Sequence, residues 1–365
     1  MKQHACFDLK GLCARSRDKM TSYDEHEVHY AGDKRIHYLT AGPTDSQLLI
    51  FVHGWPAIAK TWQPQLDFFA ARGYRVVAPD MPGSGQSTAR KGDYADYSMQ
   101  SVMQGLLALL EHLGREQAIW IGHDWGCPPV WALTSTHPEV CTAVAGLAVP
   151  YRSIELGLQE VLRQVNRAVY PEDRYPFGQW SYQLFYEREF EKATREQERD
   201  VETTIGVMYV KGKPEAVGKP AVTAEVLRNG SWLASRGEPS SANSVIDVEM
   251  KNELVAAFEK TGLWPTNAYY MNHGRNREYF LQKQLNGGVL DMPVLFIEAK
   301  YDRVCDTAES TLADGMRESC RDLSYVSVEA GHWVGLEKPE EVNEALLEWI
   351  EAKVPGCEPG RIAGS

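Results

Sequence analysis

The segment Gly122-His123-Asp124-Trp125-Gly126 sets a carboxylate between two glycines, behind the apolar run Ala118–Ile121 and ahead of a helix-forming stretch, Cys127–Thr136. A strand–turn–helix junction of this kind exposes its central side chain at the apex of a sharp, strained turn. The glycines have a physical task there, because any Cβ would crowd the neighbouring strand and helix. Pro128 and Pro129 fall in the first helical turn, where missing N–H groups cost little. Aspartate side chains ionise near pH ~4, so an apical Asp can attack carbon at neutral pH without a base. Attack on sp³ carbon leaves an alkyl ester on Asp124, and clearing that ester demands activated water. The simpler reading, a strand-terminal Asp that caps the next helix, leaves both glycines unexplained.

Water activation calls for a histidine on a loop after the last strand. Gly331-His332-Trp333 follows the apolar run Leu323–Val328 and precedes the final helical pattern, Pro339–Ala352. His123 should point away from Asp124, and His53 ends a strand, so both read as structural. An acid on the far nitrogen of His332 would fix its tautomer and stabilise the imidazolium. Asp302, at the end of the run that starts at Pro293, is the candidate; Glu298 is mid-strand and Asp306 is too late. The segment after Thr142–Val149 offers Pro150, Tyr151 and Arg152, with no carboxylate. Phe51-Val52-His53-Gly54-Trp55-Pro56 ends another apolar run, and backbone N–H groups of Trp55 and Trp125 are nominated to hold a developing oxyanion. The side chains of Trp55, Pro56, Trp125 and Trp333 are expected on the substrate pocket. The loop Asp80–Ser87 is rich in turn residues but lacks a phosphate-binding lysine, and reads as structural.

These residues need a frame. Glu27–Ala31 and Arg35–Ala41 predict a hairpin across Gly32-Asp33. Leu48–His53, Arg75–Ala78, Ala118–Ile121 and Thr142–Val149 are short apolar runs, typical of strands buried on both faces of a parallel sheet. Met99–Leu113 has helical spacing, with Ser98 as N-cap and Gly114 as C-cap. From Tyr151 the pattern turns helical, with candidates Val161–Val169, Tyr182–Arg199, Thr223–Leu233, Val245–Thr261 and Arg275–Leu285. Val294–Ile297 and Leu323–Val328 then restore the strand pattern. The expected division is an N-terminal extension (1–20), a core in two parts (21–150 and 289–365, the second with the C-terminal tail) and an inserted helical lid (151–288). Alternating strand and helix implies a doubly wound α/β sheet.

Composition narrows the partners. A net charge of −12 argues against nucleic acid and anionic membranes. No run approaches the roughly 18–20 apolar residues of a membrane span, and the first twenty residues lack the apolar block of a signal peptide. Seven cysteines without a C-x-x-C pair predict reduced thiols in a cytoplasmic protein, and no metal site.

Taken together, His53-Gly54-Trp55-Pro56, the loop Asp80–Ser87, Gly122–Gly126, Asp302 and Gly331-His332-Trp333 resemble the epoxide hydrolases of the α/β-hydrolase superfamily, over about 30–352. The resemblance implies a mostly parallel eight-stranded sheet with an inserted helical cap, an Asp nucleophile, and no cofactor. It also implies two cap tyrosines that grip the epoxide oxygen. Trp180-Ser181-Tyr182 and Asn267-Ala268-Tyr269-Tyr270 resemble those two motifs, giving Tyr182 and Tyr270, with Tyr186 and Tyr269 as neighbours. The implied partners are a small apolar epoxide and water, with a homodimer allowed. Haloalkane dehalogenases share the Asp motif, and Trp55, where the family usually has Phe, offers an indole that could serve a halide. Ala57 stands where the family often has an acid. A binding protein that keeps the fold without catalysis is the third reading.

Overall fold

The computed structural model describes residues 22–354. The expected N-terminal extension, the last eleven residues and three of the cysteines (Cys6, Cys13 and Cys357) lie outside the described residues. Eight strands form one sheet: β1 (Asp24–Tyr30), β2 (Lys34–Ala41), β3 (Leu48–Val52), β4 (Arg75–Pro79), β5 (Ala118–His123), β6 (Cys141–Leu147), β7 (Leu290–Ala299) and β8 (Cys320–Val328). Their order is β1-β2-β4-β3-β5-β6-β7-β8. The β1–β2 and β2–β4 pairs are antiparallel, and every later pair is parallel.

The parallel strands alternate between two cores. Ile50, Trp120, Val144 and Phe296 face one, while Leu49, Ile121, Ala145 and Leu295 face the other, all fully buried. Burial on both faces is why these strands read as unbroken apolar runs. Register pairs Val52 with Gly122 and Gly122 with Gly146, so the carboxyl ends of the central strands finish at one edge. The loops leaving that edge are where open α/β sheets build sites.

Helices α1 (Gln63–Ala70), α2 (Met99–His112) and α3 (Cys127–Thr136) flank the first half of the sheet. Ser98 caps α2 by accepting from the Ser101 N–H at 3.3 Å. Between β6 and β7 the chain builds a helical cap: α4 (Leu158–Arg163), α5 (Ser181–Arg199), α6 (Val201–Met208), α7 (Val226–Asn229), α8 (Val248–Thr261), α9 (Trp264–Asn267) and α10 (His273–Lys283). Then α11 (Asp314–Ser319), α12 (Val334–Glu337) and α13 (Pro339–Lys353) complete the fold. None of the described helices is long and apolar enough to cross a membrane.

Two helical expectations need correction. The stretch predicted over Val161–Val169 ends at Arg163, because the Asn166 carboxamide accepts from the Ala168 N–H at 3.0 Å and closes a local turn instead. The stretch predicted over Thr223–Leu233 stops at Asn229, where Gly230 turns left-handed at φ 60°. Helices α1, α6, α9, α11 and α12 fall outside the stretches expected to be helical.

The cap is bolted to the core near its midpoint. The Glu337 carboxylate accepts from the N–H groups of Gly212 and Gly331, each at 2.9 Å. The Trp333 indole donates to the Met208 carbonyl at 2.8 Å, and Tyr209 stacks on Trp333 at 4.0 Å.

Candidate active site

Asp124 follows β5 with φ 51°, a left-handed conformation unusual for a residue with a side chain. The turn is possible only because its neighbours are bare. A Cβ on Gly126 would collide with the Val52 carbonyl, and one on Gly122 would sit 2.9 Å from Cys127 Cα. The strain therefore lifts the Asp124 carboxylate above the sheet edge, as the spacing predicts.

Loops after β7 and β8 bring the other two expected groups to that carboxylate. His332 Nε2 lies 3.2 Å from Asp124 Oδ2, and its Nδ1 lies 2.6 Å from Asp302 Oδ2. Asp302 Oδ1 accepts from the N–H groups of Val304 and Cys305 at 2.8 and 3.1 Å. Burial disfavours a charge on His332, but the carboxylates of Asp302 and Asp124 outweigh it and push its pKa up to about 10. Burial likewise opposes ionisation of Asp302; the imidazolium and the two backbone donors win, and hold its pKa below the ordinary value. Both carboxylates therefore favour the protonated form of His332.

The loop after β3 supplies a donor. Trp55 N–H donates to Asp124 Oδ1 at 2.6 Å. A Cβ on Gly54 would stand 2.5 Å from the Trp125 nitrogen and run into Asp124 Oδ1. The two nominated backbone nitrogens and the carboxylate oxygen thus crowd one small space that only glycine leaves open.

A cavity of about 440 Å³ opens above Asp124, between core and cap. Its wall includes Trp55, Pro56, Trp333 and both expected tyrosines, Tyr182 and Tyr270, whose rings meet edge-on at 5.7 Å. Burial raises the pKa of each phenol, so both stay protonated at neutral pH. Gln183 Nε2 donates to the Tyr182 oxygen at 3.0 Å. The neighbours behave differently. Tyr186 stacks behind Tyr270 at 4.3 Å with its oxygen held by Gln197, and Tyr269 donates to the Pro82 carbonyl.

The Trp125 ring departs from expectation. It does not line this cavity, because Tyr270 packs edge-on across it at 4.9 Å and Tyr269 fills the other side. The Trp55 indole is also committed, donating to Asn267 Oδ1 at 2.9 Å.

The histidines read as structural sit in structural roles. His53 donates to the Gly54 carbonyl and accepts from the Met81 N–H, each at 2.9 Å. His123, its pKa lowered to about 4 by burial and by the neighbouring His332, donates to the His332 carbonyl at 2.7 Å. Asp80 gathers the N–H groups of Ala59 and Gln86 with His37, which holds the loop Asp80–Ser87. Glu298 is turned to Thr307 and Tyr325, away from His332. Asp302, Cys305 and His332 bring ligand-type atoms within 4.8 Å of one another. Burial, followed by the charges of Asp302 and Asp124, drives the Cys305 pKa well above the ordinary thiol value, and Asp302 and His332 already spend their facing atoms on each other at 2.6 Å. Sequence reasoning missed Cys305, Trp232, Arg236 and Arg303 on the cavity wall. They come from the irregular segments after α7 and after β7, and no spacing marks them.

Comparison with known proteins gives consistent matches. Residues 47–339 match the family model described as the alpha/beta hydrolase fold. The chain is 30% identical to Epoxide hydrolase A of Mycobacterium tuberculosis, covering 87% of this chain and 94% of that one. It is 28% identical to Epoxide hydrolase B of the same organism, covering 89% and 98%. The crystal structure of Epoxide Hydrolase A from Mycobacterium thermoresistibile superposes with a TM-score of 0.75 at 28% identity, covering 91% and 99%.

Proposed function

The chain belongs to the epoxide hydrolase family of the α/β-hydrolase fold, and from that premise we propose that it opens epoxides to vicinal diols through an ester on Asp124. In the first step Asp124 Oδ2 attacks an oxirane carbon and the ring C–O bond breaks. The alkoxide takes its proton from Tyr182 or Tyr270, whose phenols stay protonated at neutral pH. Oδ1 remains against the Trp55 N–H and becomes the ester carbonyl oxygen.

Esterification also primes the second step. The Asp124 charge is one of the two that hold the proton on His332. Once the ester removes it, the imidazolium releases its proton, which restores the phenol. Neutral His332, still oriented by Asp302, then takes a proton from water as that water adds to the ester carbonyl. The N–H groups of Trp55 and Trp125 carry the oxyanion. Collapse breaks the acyl C–O bond, the leaving oxygen takes the second proton of water from the new carboxyl, and the diol departs with the Asp124 oxygen while the oxygen of water refills the carboxylate.

The observation that carries this reading is that two phenols, Tyr182 and Tyr270, line the same cavity as the Asp124 carboxylate. A dehalogenase needs N–H donors for halide rather than a proton source, and the Trp55 indole is spent on Asn267. Four described cysteines are free and buried, which fits a reducing, cytoplasmic setting. The test is single turnover in heavy-oxygen water. Label should enter Asp124 and be absent from the first diol, and His332→Gln should accumulate an epoxide-sized adduct by intact mass. Label appearing directly in the diol would sink the ester mechanism.

A further inference from the structure

Two phenols line one cavity, but their oxygens are not equivalent. The Tyr182 oxygen accepts from Gln183 Nε2 at 3.0 Å, near the start of α5. Gln183 is 1% exposed, so water does not compete for its amide. An amide N–H donates and cannot accept, so this bond leaves the Tyr182 proton free for an acceptor in the cavity. Burial, then Cys305, raises the Tyr182 pKa; the Gln183 donor pulls the other way and counts for more than the Asp124 charge.

Tyr270 is placed differently. Its ring lies face to face on Tyr186, with centroids 4.3 Å apart and planes 11° from parallel. An anion spread over that ring would meet the electron-rich face of its neighbour. Burial, Tyr182, Asp124 and Tyr186 all oppose a charge on Tyr270, and each outweighs the help of the Trp125 indole.

A cation lies behind Tyr182. Trp232 meets the Tyr182 ring edge-on at 5.1 Å, and the Arg236 guanidinium sits 4.9 Å from the Trp232 centroid. Arg236 donates to the Val207 carbonyl at 3.2 Å, and no carboxylate among the described residues pairs with it. Burial holds its pKa down to about 10, and Tyr182 opposes that shift more than Tyr186 or Tyr270 does. A charge formed on Tyr182 is the one this cation feels most.

We propose that Tyr182, rather than Tyr270, gives its proton to the opening ring, and that Gln183 is the positioning residue that equips it to do so. This rests on the epoxide hydrolase reading and deepens it. As the ring C–O bond breaks, its electron pair stays on oxygen and takes the Tyr182 proton. The phenolate left behind accepts from Gln183 Nε2 until His332 returns a proton. That hydrogen bond is neutral before the transfer and charge-assisted after it, so it strengthens only as the proton leaves. Tyr270 donates a hydrogen bond to the same oxygen and keeps its proton.

The test follows ester formation on Asp124 by rapid quench and intact mass, with styrene oxide as the probe. Gln183→Met keeps the length of the side chain without its donor. It should slow ester formation roughly 10- to 100-fold, the worth of one hydrogen bond to a charge, and leave ester hydrolysis unchanged. Added to Tyr182→Phe it should cost nothing further, whereas added to Tyr270→Phe it should cost its full factor. A packing defect at the start of α5 would slow all three backgrounds alike, and that result overturns the assignment. So does an unchanged or faster rate in Gln183→Met, which would mean that the amide holds the phenol proton back. Should Gln183→Met fail to fold, Arg236→Met carries the same test: a severalfold loss that vanishes with Tyr182→Phe supports the assignment, and one that persists there overturns it. If His332→Gln gathers no ester at all, the epoxide hydrolase reading itself fails and takes the assignment with it.

Discussion

The two walls of the cavity are built on opposite terms. On the core side the acidic and imidazole groups are already matched: Asp124, His332 and Asp302 are linked to one another and to the backbone of Trp55, Val304 and Cys305. On the cap side the groups are incomplete. Tyr182 and Tyr270 present protonated phenols. A closed network fixes geometry before the ligand arrives, as preorganised catalysis requires. An open one leaves its bonding to the ligand. The sheet supplies the nucleophile and the water-activating pair, and the cap supplies the acid.

Substitutions on the two walls should therefore fail differently. The largest effect is expected from Asp302→Asn. It removes the acceptor that orients His332, and ester hydrolysis should slow about 10⁴-fold while ester formation continues. Stopped-flow diol release alongside intact mass would show ester piling up; equal loss of both steps would erase the distinction drawn here. Tyr182→Phe and Tyr270→Phe should slow ester formation instead. Each alone should cost roughly 10²-fold at most, because the other phenol remains, and the pair together roughly 10⁴-fold. The measurement is the pre-steady-state burst rate.

The smallest effect concerns a titration. His332 holds its proton to about pH 10, against an ordinary 6.5, and this raised pKa contributes stability below 6.5 that is lost as pH rises through about 10. In Asp124→Asn one of the two carboxylates responsible is gone, so the folded-state pKa must fall. Imidazole proton resonances followed against pH should show that downward move, and an unmoved titration would remove Asp124 from the account of how His332 is primed.

The same division explains what could be read from the chain alone. Gly122 and Gly126 are informative because a backbone contact dictates each residue type, and they bracket Asp124 in sequence. Helix α3 was bounded at Cys127 and Thr136 because an uninterrupted buried strand leads into it. His332 and Asp302 were found by their places after apolar runs that alternate on a sheet. The cap offered no such ruler. Tyr182 and Tyr270 could be chosen over Tyr186 and Tyr269 only through the resemblance, since the choice depends on which ring backs onto Gln197 or Pro82. The Trp125 ring was misassigned for a related reason, because backbone spacing says nothing of the aromatic that will cover it. Arg236 was simply one cation among 38.

Gly212 and Gly331 meet with no side chain between them: a Cβ on Gly212 would lie 2.7 Å from Gly331 Cα, and Glu337 grips both backbones. The helical insertion is consequently not a detachable module. A cap transplanted from a relative to alter selectivity would have to bring a bare α-carbon to this seam, or the loop that carries the imidazole would be shouldered off its acid.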